Sequence, residues 1–586
     1  MKNEAFSVLG QKWVYNKANE NEVELLSQQL GLSYATCRVM AVRGIALEEA
    51  QSFLEPKIKN LMPDPSCLKD MDKATKFIAD LIETKQKVGI IGDYDVDGAT
   101  SSALIQKYLA FFGLETVVHI PERDEGYGPS RKAFAEFEAC GIKNVITTDC
   151  GTTSFDVLDE AALNGFKVVV TDHHEAETKL PNVFAVVNPK RLDEKNDYPY
   201  LKYLAAVGVV FLTLAATNRE LANRGFFETR EKPDLMGMLD LVALGTVCDV
   251  VPLLGLNRAY VKQGLKVISA RTNLGLTTLI DNSGIQERPT TYHLGFILGP
   301  RINAGGRVGV SSLGNKLLCT DSPKEALEIT QKLNEFNVER KDIEAHVLGE
   351  AIEQLEKNPI SYPMAFVYGN TWHQGVIGIV AGKLKERYHL PAFVMSVEKD
   401  EVKGSARSID GLDLGALIMC AKEKGVITKG GGHMMAAGFS LEEDKIEEFK
   451  KFAGEYIENK LPASELTPTI NFDVALSIEG ATLQLAEELN RLAPFGADNP
   501  EPKVVIENVK IIKPSVLNGG HVRCFLGADY STKSLKAVCF KCVDNALGAM
   551  LLNAKDKRFD ALGTLRIDEW MNSKTLQLTI EDLMEK

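Results

Sequence analysis

Three short stretches of this chain hold acids and histidines in patterns that could bind metal. They are Gly92-Asp-Tyr-Asp-Val-Asp-Gly98, Thr148-Asp-Cys-Gly151 and Thr171-Asp-His-His-Glu175. In the first, Asp93, Asp95 and Asp97 are so close that their carboxylates repel unless cations neutralise them. Hard oxygen donors beside imidazole suit Mn²⁺ or Mg²⁺, and the histidines tilt the choice toward Mn²⁺. A more distant acid, Asp249 in Gly245-Thr-Val-Cys-Asp-Val-Val-Pro252, could close the cluster. Each piece alone has a plainer reading. An Asp-x-Asp is usually a turn, tandem histidines serve cores as well as metals, and Asp149 could cap a helix. The combination is informative because each stretch follows its own apolar strand, in order.

A phosphodiester would also need positive donors. Arg123 follows the second expected strand and should point over the same sheet edge. Arg301 and Arg307 flank Asn303 and two glycines, which predicts a backbone able to approach a phosphate. Ser405 and Arg407 lie in a segment read as a glycine-led loop. Gly430-Gly-Gly432-His433 reads as a loop leading toward a helix, its glycines permitting positive φ and close backbone approach and its histidine able to donate. Arginine suits bidentate phosphate contacts.

The elements that must position these groups are legible as short apolar runs at 88–92, 116–120, 144–148, 167–171 and 185–188. Helical stretches are expected at 101–112, 131–140 and 154–164. This alternation predicts an α/β fold with a parallel sheet covered on both faces. Ligands of such sheets sit outside the carboxyl ends of the strands. The segment 323–358 has apolar residues at helical steps and predicts a connecting helix of roughly 50 Å. A second, smaller α/β unit follows at about 364–456. Beyond Pro462 and Pro468 the chain reads as strands at 470–476, 503–512, 521–526, 535–543, 559–567 and 576–580, with a helix at 481–492. That pattern predicts an OB-like β-barrel. The expected organisation is a helical lead-in (1–70), a catalytic domain (71–322), the connecting helix (323–358), a substrate-binding domain (359–460) and a nucleic-acid-binding barrel (461–586).

Length and composition set outer bounds. The 586 residues allow about four domains at ~150 residues each. A net charge of −13 argues against coating duplex nucleic acid by bulk attraction, though a local basic groove remains compatible with it. No apolar run is long enough for a membrane span, and 204–216 reads as a buried core helix. The opening residues lack a signal peptide's apolar core. With ten scattered cysteines, this predicts a reducing cytoplasm. Cys539 and Cys542 form a lone CxxC and read as core strand residues, not a zinc site.

The acidic stretches resemble the successive motifs of the DHH phosphoesterase family. Further stretches resemble that family's bacterial single-strand-specific DNA exonucleases, which carry a DHHA1 domain. They are Gly299-Pro-Arg-Ile-Asn-Ala-Gly-Gly-Arg307, Trp372-His-Gln-Gly-Val-Ile-Gly378, Gly404-Ser-Ala-Arg-Ser408, Gly431-Gly-His-Met-Met-Ala-Ala-Gly438 and Pro494-Phe-Gly-Ala-Asp-Asn-Pro500, which opens the barrel-like region. The resemblance runs from about residue 87 to the C-terminus. One departure is Gly305-Gly306, where the family would carry an Ala beside one Gly.

The resemblance implies two Mn²⁺ or Mg²⁺ ions held by Asp95, Asp97, Asp149, His173 and Asp249, with Asp93 as a further ligand or supporting acid. It implies that His174 contacts the scissile phosphate or leaving group and that Asp172 orients the histidines. Arg123, Arg301, Asn303, Arg307, Ser405, Arg407, Gly432 and His433 would bind substrate. The implied activity is 5′→3′ hydrolysis of single-stranded DNA to 5′-mononucleotides, in DNA repair and recombination. The polarity comes from the resemblance alone. Single-stranded DNA is the expected partner, with a single-strand-binding protein and a helicase beside it, acting on a monomer away from membranes. Phe525, Tyr530, Phe540 and Trp570 are candidate stacking groups, although barrel aromatics are more often core. Two other readings stand: a DHH/DHHA1 phosphodiesterase for short oligoribonucleotides, and a non-catalytic replication scaffold.

Overall fold

A computed structural model describes residues 6–123, 125–195, 197–358, 360–398, 401–462, 466–555, 557–570 and 573–586, with only the backbone at 569 and 570. The side chain of Trp570 therefore lies outside the described residues. The chain divides into two compact units. One comprises Ala18–Asn337 and Glu487–Pro502; the other comprises Met1–Lys17, Val338–Ala486 and Lys503–Lys586.

The first unit is built on five parallel strands: β1 (Val88–Ile91), β2 (Thr116–His119), β3 (Asn144–Thr148), β4 (Lys167–Thr171) and β5 (Ala185–Val187). Their order across the sheet is β2-β1-β3-β4-β5. Successive residues of these valine- and isoleucine-rich strands enter opposite cores. Ile90, Ile146 and Val169 pack with residues of helices Met71–Thr84, Val96–Phe111 and Ala206–Asn223. Ile91, Val145 and Val168 pack with helices Arg131–Ala139 and Phe155–Leu163. Both faces are covered, so near-continuous apolar runs are what such strands require. Each fully buried Val or Ile contributes ~1.5–3 kcal/mol. The expected core helix around 204–216 is the buried helix Ala206–Asn223.

The strand order reverses direction between β1 and β3. In doubly wound sheets that switch point opens a crevice at the carboxyl edge. Asp93 to Asp97 follow β1, and Asp149 follows β3. One local expectation differs. The helix read at 101–112 begins earlier, as Val96–Phe111, inside the acidic motif. The cause is a cap: the Asp95 carboxylate accepts from the Gly98 amide at 3.0 Å.

In the second unit, the smaller α/β region carries a mixed sheet. Its strands are Lys429–His433, Ala436–Glu442, Glu401–Arg407, Ala392–Glu398 and Ala365–Asn370, in that spatial order. This corrects two loop expectations. Ser405 and Arg407 lie on a strand, and Gly430 to His433 form an edge strand that leads to another strand, not a helix. None of those three glycines has positive φ. Gly432 has a steric reason instead, since a Cβ there would meet the Ala436 carbonyl oxygen at 2.4 Å.

The C-terminal strands Val504–Leu517, His521–Gly527, Ser534–Cys539, Ser573–Glu585 and Phe559–Trp570 pair in that order, and the last pairs back onto the first, closing a barrel. A bulge between Ile512 and Ser515 bends the long first strand. The strand read at 470–476 is in fact two. Thr469–Phe472 pairs in parallel with Lys12–Tyr15, and only Val474–Leu476 joins the barrel sheet. The lead-in is thus not wholly helical; its four-residue strand is too short to show a period and is set by a partner far along the chain. Helix Ala546–Leu552 is a further element without a sequence expectation. A single helix of 35 residues, Pro323–Lys357, carries the chain from one unit into the other. Among the described residues, no helix is long and apolar enough to cross a membrane.

Candidate active site

Four segments bring acids and a histidine to the carboxyl edge of the parallel sheet. After β1, the backbone turns tightly because Gly98 lacks a side chain; a Cβ there would lie 2.4 Å from the Asp93 carbonyl oxygen. Asp97 then sits on the first helical turn, fully buried, and accepts from the amides of Ala206 (2.6 Å) and Val207 (2.9 Å). It thereby caps the N-terminus of a second helix, whose dipole favours a negative charge there. After β3, Asp149 has φ of 62° and Gly151 has φ of 115°. A left-handed Asp is uncommon and stores strain at this position. After β4 come Asp172, His173 and His174.

Asp249 arrives differently, as the residue ending helix Leu239–Cys248. That helix approaches because Gly245 is small. A Cβ on Gly245 would fall 2.3 Å from Thr100 Oγ1 and 2.9 Å from Asp97 Oδ1.

The ligand atoms converge. Three groups each gather within 4.8 Å: Asp93, Asp95 and Asp149; Asp97, His173 and Asp249; Asp149, His173 and His174. All the acids singled out as ligands from the sequence are in this set.

His173 Nδ1 lies 3.0 Å from the carbonyl oxygen of Leu204, which can only accept. Nδ1 therefore carries the proton, and Nε2 presents a lone pair. That lone pair points at Asp149 (3.3 Å), Asp249 (3.6 Å) and Asp97 (4.0 Å). Burial holds the His173 pKa down at about 3, so the ring stays neutral. Among the described residues, His173 Nε2, Asp93 Oδ1 and Asp249 Oδ2 are buried without a hydrogen-bond partner. Acceptor atoms facing one another in a buried space need protons or a cation between them.

The carboxyl pKa values agree. Burial, then Asp95, pushes Asp93 up to about 8 and Asp97 up to about 7. Burial and the neighbouring acids raise Asp149 and Asp249 well above the ordinary carboxylate range. A donor set of several carboxylates and one imidazole fits Mn²⁺ or Mg²⁺.

Asp172 behaves in the opposite way. Burial alone would raise its pKa, but the His174 hydrogen bond and further donors lower it overall. Its oxygens accept from the amides of Thr152 and His173 and from His174 Nδ1 at 2.8 Å. Asp172 therefore orients His174 but not the ring of His173, which the Leu204 carbonyl holds. For His174, burial works downward, but the Asp172 hydrogen bond and nearby acids raise its pKa. Its side chain is 38% exposed and so open to a substrate.

Three supporting groups carried no expectation. Tyr127 donates to the Asp149 carbonyl oxygen at 2.8 Å and lies 3.0 Å from His174 Nδ1. Asn188, just after β5, donates to the His174 carbonyl oxygen and to Thr152 Oγ1, both at 2.8 Å. The third is the Leu204 carbonyl. Tyr127 had a signal, an aromatic between two glycines; Asn188 had a weak one, a polar residue ending an apolar strand; and Leu204 had none, because a backbone carbonyl leaves no residue signature.

The cationic groups divide. Arg123 stacks over Tyr94 at 4.4 Å and donates from Nε to the Gly306 carbonyl oxygen at 2.6 Å. The segment with Arg301, Asn303 and Arg307 is helical, Gly299–Val308, which corrects the expected phosphate-approaching backbone. Its glycines serve packing: a Cβ on Gly306 would lie 2.5 Å from the Tyr94 carbonyl oxygen. Arg301 donates to Asn334 Oδ1 (2.8 Å) and to the Ile297 carbonyl oxygen (2.6 Å). Asn303 and Arg307 are half-buried on the same helix.

In the other unit, Ser405 and Arg407 share one strand face, with Arg407 Nη1 donating to Ser405 Oγ at 3.2 Å. Burial lowers the Arg407 pKa, and no carboxylate among the described residues forms an ion pair with it. Gly432 and His433 are exposed on the edge strand.

Comparison with known proteins matches three family profiles: the DHH family N-terminal domain over residues 87–246, the DHHA1 domain over 361–459 and the RecJ OB domain over 472–582. The chain is 32% identical over 578 residues to the single-stranded-DNA-specific exonuclease RecJ of Bacillus subtilis, covering 97% of this chain and 70% of that protein. It is 33% identical to the RecJ of Escherichia coli, covering 93% and 95%. A crystal structure of Thermus thermophilus RecJ with Mn²⁺ superposes with a TM-score of 0.80 at 26% identity, covering 100% of this chain and 80% of that one. A manganese-bound exonuclease RecJ matches at 30% identity with a TM-score of 0.56, covering 69% and 96%.

Proposed function

That this chain belongs to the RecJ family is the premise from which we propose its action: metal-dependent hydrolysis of single-stranded DNA from the 5′ end, releasing 5′-mononucleotides in DNA repair and recombination. One observation carries the reading. Ligand atoms of Asp93, Asp95, Asp97, Asp149, His173 and Asp249 converge in groups within 4.8 Å, and among the described residues Asp93 Oδ1, His173 Nε2 and Asp249 Oδ2 are buried there without a hydrogen-bond partner.

In this reading Asp95, Asp97, Asp149, His173 and Asp249 hold two Mn²⁺ or Mg²⁺ ions, and Asp93 adds a further oxygen. When bound, the ions lower the pKa of a water and neutralise charge on the scissile phosphate. The chain's own residues do the rest. His173 offers a neutral lone pair, locked by Leu204. Asp172 keeps a proton on His174 Nδ1, which leaves Nε2 free to hold a second proton for the departing 3′ oxygen. Arg123, Arg301, Asn303 and Arg307, with Ser405, Arg407, Gly432 and His433, bind phosphates of the strand. The barrel adds a surface for the strand's continuation. A single-strand-binding protein and a helicase are the proposed partners of a monomer working in the cytoplasm.

The test is a 5′-phosphorylated, 3′-fluorescent single strand incubated with Mn²⁺, beside the same strand in duplex. Release of mononucleotides from the long single strand, with the duplex intact, supports the proposal. Turnover confined to very short RNAs would replace it with the oligoribonucleotide reading, and no turnover with the scaffold.

A further inference from the structure

We propose that Tyr127 is a stacking platform for a nucleobase flanking the scissile phosphate, and so a specificity-determining residue for unpaired strands. The inference rests on the nuclease reading above and goes beyond it. Tyr127 belongs to the same unit as the acidic cluster, on the segment between β2 and helix Arg131–Ala139.

Its two ends have different environments. The phenol oxygen is tied to the candidate metal centre: it donates to the Asp149 carbonyl oxygen at 2.8 Å and lies 3.0 and 3.3 Å from the two ring nitrogens of His174. The residue is nevertheless 45% exposed. A tyrosine kept only to hold Asp149 and His174 would gain from having its ring covered. Instead its neighbours are Gly126 (φ +92°), where a Cβ would meet nothing within 4 Å, and Gly128 (φ +81°), where a Cβ would touch Ser154 Oγ at 3.4 Å and Cys150 Cβ at 3.5 Å. The Gly126 flank is open space, and the Gly128 flank packs toward the loop after β3.

The His174 ring does not cover the platform either. Its centroid is 5.5 Å away with the planes inclined at 71°, and its two nitrogens lie 3.0 and 3.3 Å from the phenol oxygen, so His174 meets the hydroxyl end of Tyr127 and not the face of its ring. Open aromatic surface is thus anchored one side-chain length from where a phosphate would meet the ions. In a nucleotide the base lies one sugar away from its phosphate. Every base has a π-face, so such a platform is indifferent to sequence. It demands, however, that the base leave its helical neighbours, which a single strand does at less cost than a duplex. The hydroxyl tether fixes the ring in advance, so little further order is lost on stacking.

The experiment uses the full chain with Mn²⁺ and 5′-phosphorylated oligo-dT, either intact or with an abasic tetrahydrofuran residue as first or second nucleotide. For the wild type, one of the two abasic strands is expected to show KM about tenfold higher than the intact strand. Tyr127→Ala should raise KM for intact strand by about the same factor and erase the abasic penalty. Tyr127→Phe keeps the ring, so it should retain that penalty while kcat falls. Mn²⁺ uptake, read by calorimetry, should be unchanged in both variants. Equal KM for all three strands with the wild type, an abasic penalty that survives Tyr127→Ala, or lost Mn²⁺ uptake would each overturn the proposal. A wild type that cleaves no strand would overturn the nuclease reading as well, which separates the two failures.

Discussion

At the scale of residues, the acidic cluster is an arrangement that proteins avoid unless something binds in it. Asp149 is its most telling member, since a left-handed backbone presents its side chain. Replacement by Ala would add ~1 kcal/mol or more of backbone cost for a residue poorly suited to that conformation, so Asn, which tolerates it, is the cleaner probe. Asp149→Asn is expected to lower cleavage by about 100-fold or more, a scale on which even a ligand's supporting partner matters. Melting temperature in chelator should hold or rise, because one of several repelling carboxyls is gone. Retained turnover with normal Mn²⁺ titration would remove Asp149 from the metal set. The raised carboxyl pKa values make a second prediction. In the unfolded chain these acids titrate near ~4, whereas in the fold Asp93 titrates at about 8 and Asp97 at about 7. Between those limits the metal-free native state binds more protons than the unfolded one. This cluster's contribution to stability is therefore present at low pH and lost as pH rises toward 8. Mn²⁺ takes the protons' place, so the stabilisation gained on adding Mn²⁺ should grow from pH 5 to pH 8. Thermal melts in chelator and in Mn²⁺ measure that difference directly; a gain that shrinks with pH contradicts it.

At the scale of elements, what was legible in the sequence was whatever is encoded locally. The strands before each acidic stretch announce themselves as apolar runs, and the 35-residue helix by its period. Missed features are those decided by a partner elsewhere. Lys12–Tyr15 is a strand only because Thr469–Phe472 pairs with it, and Gly430 to His433 became a strand despite glycine's poor propensity. The acidic helix starts where Asp95 caps it, a turn before its apolar residues make a helix visible. Asp249 could be nominated from sequence but not placed, because its position depends on how closely two helices approach. Gly245 sets that approach, which yields a prediction at this scale. Gly245→Ala puts a methyl 2.3 Å from Thr100 Oγ1 and should cost ~1–3 kcal/mol through overpacking. It should also weaken Mn²⁺ binding by about tenfold, since Asp249 rides on the displaced helix. Adding Thr100→Ala removes the nearest obstacle and should recover much of both losses. If the double variant is no better than the single, the contact is not what fixes Asp249.

At the scale of the whole molecule, the stretch expected as the barrel domain (461–586) does not stay in one unit. Residues Glu487–Pro502, past the smaller α/β region, pack in the unit that holds the acidic cluster. The fastening is Arg258, about 1% exposed, which donates to the carbonyl oxygens of Phe53, Leu492, Ala493 and Pro494 and lies over the Phe53 ring at 3.9 Å. The Pro494–Pro500 motif is thus part of that unit and not the opening of the barrel. A C-terminal truncation before 487 would leave those donors of Arg258 without acceptors, a heavy penalty in a buried site, so lost activity would say nothing about the barrel. Surface substitutions ask the question cleanly. On strand His521–Gly527, Val522, Cys524 and Leu526 are buried while Arg523 and Phe525 alternate outward; Tyr530 and Phe540 are exposed as well, at 58% and 54%. Exposure favours the stacking reading of these three aromatics over the core reading. Replacing Phe525, Tyr530 and Phe540 together by Ser should therefore leave the melting temperature nearly unchanged. With stacking worth ~1–3 kcal/mol per base, KM for strands of several tens of nucleotides should rise tenfold or more. Strands too short to reach the barrel should be cleaved as by the wild type. A KM that rises equally at every strand length, or not at all, would mean that the barrel does not hold the strand's continuation.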